Sequence, residues 1–377
     1  MKITHAHITL LLLFAIACKQ TYNPPAIAHP PDYLVVEGFI ESNGFSPTVF
    51  HLSHTVKLDS PTFVPEAGAT VAIEDSINNT SYSLTEGAAG TYYFNPYFFP
   101  GNTTYRLHIR TTAGKEYASD FVPLVHNPPI DSITFARVQT PAYDGVYIYA
   151  NTHDPQNNTH YYRWQYTETW QFHTTFMQNY VYDPATGGLI GAVGLNNYIC
   201  WHSDSSTAIV LNSTTQLAQD LVFHAPVVFI PNGSQQMMTR YSILVKQTAL
   251  TKDAFTWWQT MQKNTEQIGS IFGVQPSANP GNIHCINDPI QQVLGYVGGG
   301  NTDSQRIFVT NEQAQPWRYE SGCVDITLPP NTRLKDYLDN GFLVWNIGPP
   351  PDFKVHMSEA YCIDCTLTGT NKRPSFW

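Results

Sequence analysis

The sequence predicts a mainly β protein of two β-rich domains, the second of which carries one prominent helix. Short stretches of alternating apolar and polar residues recur along the chain, separated by Asn, Gly and Pro turn signals. Charged residues make up 13% of the chain, against about a quarter in an average domain, and aromatic residues also reach 13%. Such a composition is common in exported β-rich proteins.

The first domain is predicted over residues 32–127 as a run of short strands. Apolar residues alternate with their neighbours in two of these strands, at Leu34, Val36 and Ile40 and again at Tyr105, Leu107 and Ile109. Strands and turns at this spacing favour a sandwich. Their order is similar to that of the immunoglobulin-like or prealbumin-like accessory domains of exported proteins, which serve as spacers or docking units.

A proline-containing break, Asn127-Pro128-Pro129, precedes the second domain, which is predicted over residues 128–377. Aromatic residues share one parity of a long strand there: Tyr162, Trp164, Tyr166, Trp170 and Phe172. An aromatic row of strand period is more often core than surface, so we expect a buried face. A sugar-stacking platform is the alternative.

The prominent helix is predicted near residues 251–268. Thr251 can cap its first turn, and Asp253 lies where the helix dipole favours a negative charge. Three apolar residues share one face: Ala254, Trp258 and Met261. Gly269 is expected to end the helix.

Residues 1–17 are predicted to be a lipoprotein signal peptide. A weakly basic start at Lys2 precedes an apolar run, and Ala15-Ile16-Ala17-Cys18 matches a lipobox. The thiol of Cys18 is therefore the predicted site of lipid attachment. The apolar run falls short of the ~20 residues that a membrane span needs, which disfavours a short membrane helix.

Residues 18–31 are predicted to be a lipidated tether, because they are polar and proline-rich and lack apolar periodicity. The lipid makes the membrane the first expected partner, since each buried methylene contributes about 0.8 kcal/mol to attachment. The net charge of −10 argues against nucleic acid as a partner, because phosphate binding needs a basic face.

Five cysteines besides Cys18 are candidates for disulfides: Cys200, Cys285, Cys323, Cys362 and Cys365. In an oxidising compartment an odd number allows at most two bridges and leaves a free thiol, which alkylation of the folded protein should detect. Sequence alone leaves the pairing open.

Cys362 and Cys365 have the spacing of a redox pair. Redox chemistry needs such a pair at the start of a helix in a βαβ unit, and the surrounding Thr/Gly/Pro-rich segment offers no such context. A zinc site completed by Cys323 or His202 is a second alternative, although the second close cysteine pair of a zinc ribbon is missing. We favour a structural disulfide that pins the C-terminal segment.

Catalytic, metal and cofactor sites are not predicted. The sequence lacks a Gly-x-Ser-x-Gly elbow, a His-Glu-x-x-His helix and a phosphate loop, and its fourteen histidines show no ligand spacing. Residues 154–158 weakly match a calcium loop, but they lack its Gly and its distant Glu and are predicted to form a turn.

Several stretches in succession resemble one family. They are the lipobox, residues 34–38, 129–133, 241–247, 281–283, 294–296 and 306–308, and the ending Cys362-x-x-Cys365 through Trp377. This order is similar to that of the Bacteroidota lipoproteins known as domain of unknown function 4249. The resemblance implies an outer-membrane lipoprotein, often encoded near TonB-dependent receptors, and supplies no catalytic residues. One departure is Gly369-Thr370-Asn371, which has a single glycine where the family usually has Gly-Gly-Thr-Asn.

The resemblance sets the expectations for function. The leading hypothesis is a lipid-anchored, non-enzymatic accessory or binding component of a TonB-dependent outer-membrane transport system, with a TonB-dependent receptor as partner and the ligand unknown. The alternatives are an envelope enzyme acting on glycans or peptides, with its site in the second domain, and a purely structural envelope protein. Lys19-Gln20-Thr21-Tyr22 lacks the acidic residues that follow the lipidated cysteine in surface-exported lipoproteins, which favours the periplasmic face.

Overall fold

The computed structural model describes residues 32–56, 63–266 and 281–377. Within these ranges the protein is mainly β, which confirms the predicted class. The strands that precede the domain break are β1 Leu34–Glu41, β2 Thr48–His54, β3 Val64–Pro65, β4 Thr70–Asp75, β5 Ser81–Ser83, β6 Thr85–Glu86, β7 Thr91–Phe94, β8 Thr104–Arg110, β9 Glu116–Ser119 and β10 Val122–Val125.

The later strands fall before and after the long helix. Those before it are β11 Ile130–Gln139, β12 Asp144–His153, β13 Tyr161–His173, β14 Tyr180–Asp183, β15 Gly188–Gly191, β16 Ile199–Ser205, β17 Val210–Ser213, β18 Leu221–Pro231 and β19 Arg240–Ala249. Those after it are β20 Ile283–Cys285, β21 Val293–Gly295, β22 Gly298–Gly300, β23 Thr302–Thr310, β24 Ile326–Thr327, β25 Phe342–Ile347 and β26 Val355–Glu359.

The described residues form two α-helices, α1 Lys252–Glu266 and α2 Leu334–Asp339. Helix α1 confirms the prominent helix predicted near residues 251–268. The hydroxyl of Thr251 accepts a hydrogen bond from the Ala254 N–H at 3.2 Å, as expected of a cap, and Ala254 is buried. Gly269, Cys18, the signal peptide and the tether lie outside the described residues.

The first domain is built on a thirteen-stranded sheet that wraps around its own core. Its main path runs β20-β9-β8-β10-β22-β1-β2-β7-β6, and further strands pair beside this path. The apolar residues predicted to alternate in β1 and β8 are buried together in this core: Leu34, Val36, Ile40, Tyr105, Leu107 and Ile109. The strands of this one sheet supply nearly all of the cluster, and the sheet is nearly closed, like a barrel.

Residues 283–300 return to this first sheet. Strands β21 and β22 pair parallel to β1, and β20 pairs antiparallel to β9. The return depends on a close backbone approach, since a Cβ at Gly281 would lie 1.6 Å from the Gly295 carbonyl oxygen. The amide of Asn282 completes the turn through hydrogen bonds of 2.9 and 2.8 Å with the Val297 main chain. The sequence predicts a second domain over all of residues 128–377 and does not predict that residues 283–300 pair with the first sheet.

The second core lies between two sheets, β11-β12-β18 and β16-β13-β19-β23, with β17 also paired to β13. The aromatic row of β13 belongs to it. Tyr162, Trp164, Trp170 and Phe172 are buried and Tyr166 packs against them, which excludes the sugar-stacking alternative for these rings. The smaller sheets are β14-β15 and β24-β26-β25.

A buried carboxylate ties the two cores together. Glu41, at the end of β1, is 3% exposed and accepts hydrogen bonds from the Thr302 N–H at 3.1 Å and the Thr302 hydroxyl at 2.6 Å. Lys246 of β19 lies 3.7 Å from the same carboxylate. Since Thr302 opens β23, this contact fixes the point at which the chain passes from the first sheet to the second core.

Candidate functional site

The disulfides organise the C-terminal part of the chain. Cys200 of β16 is bonded to Cys365, and Cys323 is bonded to Cys362. Cys285 is a free cysteine, buried in the first core. Because its thiol is shielded, we correct the expectation that alkylation of the folded protein detects it.

The pairing overturns both chemical alternatives for the C-x-x-C motif. Cys362 and Cys365 are bonded to different partners, so they form no redox pair with each other. Cys323 is also oxidised, which leaves no thiolate among these three for zinc. His202, the other suggested zinc ligand, uses its Nδ1 in a 2.6 Å hydrogen bond with the Thr368 carbonyl oxygen. In the ranges that the structure describes, no three His, Cys, Asp or Glu residues are grouped to hold a metal.

The predicted turn at residues 154–158 is confirmed. The carboxylate of Asp154 accepts hydrogen bonds from the main-chain N–H groups of Gln156, Asn158 and Thr159, at 2.8 to 2.9 Å. These oxygens are occupied by the loop's own backbone, as in an Asx turn.

Residues 365–377, which we call the C-terminal segment, lie across the edge and the outer face of the β16-β13-β19-β23 sheet, called the second sheet from here on. Trp201 of β16 and Thr370 exchange main-chain hydrogen bonds of 2.8 Å in both directions. The approach requires a glycine, because a Cβ at Gly369 would lie 2.7 Å from the Trp201 carbonyl oxygen. The Asn371 side chain donates to the Asn196 carbonyl oxygen at 2.8 Å. Together with the Cys200–Cys365 bridge, these contacts hold the segment in place.

Aromatic and guanidinium groups stack where the segment crosses the sheet. The guanidinium carbon of Arg240 lies 4.3 Å from the Phe308 ring centre and 5.4 Å from that of Trp377. The guanidinium of Arg306 lies 3.6 Å from the Phe376 ring centre, and burial lowers the pKa of Arg306. The segment is thus held to β19 and β23 by cation–π contacts as well as by the disulfide.

A groove of about 480 Å³ opens between the segment and the sheet. Its lining combines two tryptophans, two arginines, three amides and one aliphatic residue: Trp201, Trp377, Arg240, Arg373, Gln171, Asn196, Asn371 and Ile199. The volume is within the range of small-ligand sites, about 300 to 1,000 Å³. No lining residue is an acid, a cysteine, a serine or a histidine, so the groove offers stacking surfaces and hydrogen-bond donors rather than a nucleophile or a general base.

The groove was not predicted from the sequence. Its strand residues sit on the face of β13, β16 and β19 that points away from the core, so Gln171, Trp201 and Arg240 form one cross-strand row. Its opposite wall comes from Asn371, Arg373 and Trp377. A basic and aromatic run, Lys372-Arg373-Pro374-Ser375-Phe376-Trp377, was the one local signal that could have pointed to it.

Titratable groups with perturbed pKa values also lie outside the groove lining, among them Glu168 and His54. Burial raises the pKa of Glu168, whose carboxylate accepts a 2.6 Å hydrogen bond from the Tyr241 hydroxyl, and nearby Asp204 adds to the rise. His54 lies between Asp32 and Glu66, with 2.6 Å contacts to each. Burial lowers the pKa of His54, but the hydrogen bonds to Glu66 and Asp32 outweigh it and leave the pKa above 6.5.

A separate row of rings covers the outer face of the β11-β12-β18 sheet. Successive ring centres lie 4.2 to 5.9 Å apart along Tyr143, Phe229, Tyr147, Tyr149, His224 and Phe223. Tyr143 and Phe223 are 53% and 73% exposed, so this row faces solvent, unlike the row of β13.

Comparison with known families identifies the family of this chain. The model of the family described as Domain of unknown function (DUF4249) matches residues 19–306. The chain belongs to this family. The match includes the sheet wall of the groove and ends before the C-terminal segment and before Cys323, Cys362 and Cys365. No curated protein matches the chain. No helix in the described ranges is long and apolar enough to cross a membrane.

Proposed function

We propose that this member of the DUF4249 family is a lipid-anchored, non-enzymatic binding component of the cell envelope and that it serves a TonB-dependent outer-membrane transport system. The observation that carries the proposal is the groove, whose lining can stack and hydrogen-bond a ligand and holds no acid, cysteine, serine or histidine. A purely structural protein needs no such groove. An envelope enzyme acting on glycans or peptides receives no support from these lining residues.

The lipid anchor and the cellular location are parts of the same proposal. Cys18 would carry the lipid, the outer membrane of a Bacteroidota cell would be the site of attachment, and the periplasmic face is favoured by the residues after Cys18. The first domain, as an immunoglobulin-like or prealbumin-like spacer, would hold the groove away from the bilayer.

The test is complementation of a deletion strain. Uptake through each co-encoded receptor should fall on deletion and return with the wild-type gene. It should not return with the groove double variant Arg240→Ala/Trp377→Ala, nor with Cys18→Ser, which should also lose incorporation of a fatty-acid label. The matched control is Arg110→Gln, an exposed arginine of β8 far from the groove in sequence, which should restore uptake.

Two results would contradict the proposal. Unchanged uptake through every receptor after deletion would remove the transport role. Full restoration by the groove variant, present at wild-type level in the membrane fraction, would remove the groove from that role.

A further inference from the structure

Arg240 is a cation without a counterion. In the part of the chain that the structure describes, no carboxylate lies within 4.0 Å of its guanidinium and none of its N–H groups donates a hydrogen bond to the protein. By contrast, Arg106 and Arg137 each pair with a carboxylate, Glu74 and Asp144 respectively. An unpaired guanidinium at the wall of a groove is notable in a chain whose net charge is −10.

The packing of Arg240 leaves its donors available. The rings of Phe308 and Trp377 lie near the guanidinium carbon, at 4.3 and 5.4 Å from their centres. A guanidinium carries its N–H groups in its own plane, where they match the two oxygens of a carboxylate. Arg373 differs, because its Nε and one Nη donate to the Trp377 main-chain oxygen. Arg240 is therefore the arginine of the groove whose donors are free to bind an anion.

The rest of the lining suits a sugar ring. The indole rings of Trp201 and Trp377 are nearly perpendicular, at 78°, with centres 6.5 Å apart, and they offer flat apolar surfaces on which the C–H face of a pyranose can stack. The side-chain amides of Gln171 and Asn196 make no hydrogen bond with any residue that the structure describes, so both can donate to and accept from hydroxyl groups.

We propose that the groove binds a carboxylate-bearing sugar unit of an acidic glycan. Arg240 would hold the carboxylate through two parallel N–H···O hydrogen bonds, a tryptophan ring would stack on the sugar, and the free amides would bind its hydroxyl groups. This inference rests on the proposed function of the groove as a ligand site and names its ligand class. One free guanidinium matches one carboxylate per sugar unit, whereas a polyphosphate would require a row of cations.

The test compares acids with their own esters. Trigalacturonate and 3′-sialyllactose are titrated calorimetrically into the wild-type protein, each beside its methyl ester, which keeps the sugar rings and removes the charge. At least one acid should bind, and its ester should bind about 10- to 100-fold more weakly, as expected for the loss of a charge-assisted hydrogen-bonded pair. A sulfated lactose is the third arm and separates sulfate from carboxylate.

Variants of Arg240 test the assigned group. Arg240→Gln should abolish the preference for acid over ester, so that the two bind this variant with equal affinity. Arg240→Lys keeps the charge but loses the planar fork, so its affinity should fall between those of the wild type and Arg240→Gln. Arg110→Gln is the matched control and should bind like the wild type.

The outcomes separate the inference from the proposed function. Equal binding of acid and ester, preference for the sulfated sugar, or binding of no acid would overturn the ligand class. The uptake experiment, which uses the natural cargo, decides the proposed function independently of these probes.

Discussion

Removal of the Cys200–Cys365 disulfide is the perturbation with the largest expected effect. Both cysteines are fully buried, and the bridge joins β16 of the second sheet to the C-terminal segment. The double variant Cys200→Ala/Cys365→Ala deletes the crosslink without burying a new polar group. The control is Cys323→Ala/Cys362→Ala, which deletes the other bridge.

The expected loss follows from the loops that the bridges close. The chain entropy of a loop with a sequence separation of 165 corresponds to about 5 kcal/mol of unfolding free energy, and a separation of 39 corresponds to about 4 kcal/mol. The shorter loop lies inside the longer one, so the second bridge already shortens the longer path by 39 residues. Because the entropy depends on the logarithm of loop length, the value for the longer loop stays near 5 kcal/mol.

Two measurements check this prediction. Guanidinium unfolding of the oxidised proteins, followed by circular dichroism, should give the larger loss for Cys200→Ala/Cys365→Ala. Tryptic cleavage after exposed Lys372, followed by mass spectrometry under native conditions, should accelerate in that variant, because the segment opens without global unfolding. A loss below about 1 kcal/mol together with unchanged cleavage would refute the reasoning.

Three further predictions concern single side chains. The pKa of His54 is raised in the folded protein, so its contacts with two carboxylates stabilise the fold fully below pH 6.5. This stabilisation is lost as the pH rises through the higher folded pKa. Guanidinium unfolding of His54→Gln should therefore show less loss of stability between pH 6 and 8 than that of the wild type. Glu41→Ala leaves the half-buried donors of Thr302 unpaired and should cost about 1 to 3 kcal/mol in urea unfolding, whereas an unchanged midpoint would show that the contact between the cores is dispensable. Iodoacetamide should label Cys285 in 6 M guanidinium and not in buffer, and rapid labelling of the native protein would contradict its burial.

Features encoded by local periodicity were predictable from the sequence. In β13, aromatic residues such as Tyr162 and Trp164 occupy alternate positions, the pattern expected of a strand with one buried face. The structure confirms both the strand and its buried face. Thr251 predicted the start of helix α1, because a hydroxyl at that position accepts a hydrogen bond from an otherwise unpaired N–H of the first turn. In each case the signal lies within a few residues of the element it specifies.

Features made by distant residues were not predictable. The triglycine strand β22 has no side-chain periodicity, so nothing local indicates that it inserts between β1 and β10. The pairing of five cysteines depends on which strands meet in space. The groove likewise needs Arg240 and Trp377, which are 137 positions apart and meet because the crosslink and the hydrogen bonds to β16 bring the C-terminal segment across the sheet.

The disulfide and the groove are therefore linked. One wall is sheet, held by the second core. The other wall is a segment held by one crosslink, by hydrogen bonds to β16 and to Asn196, and by the cation–π contacts. Cys200→Ala/Cys365→Ala should thus lower glycan affinity by lowering the population of the closed groove, and its remaining affinity should still prefer acid over ester. Arg240→Gln should show the opposite pattern: it should abolish the preference for acid, while tryptic cleavage after Lys372 should stay slow. If Arg240→Gln instead freed the segment, its effect on affinity would be structural, and Arg240→Lys, which keeps a cation beside the Trp377 ring, would decide the assignment of the anion site.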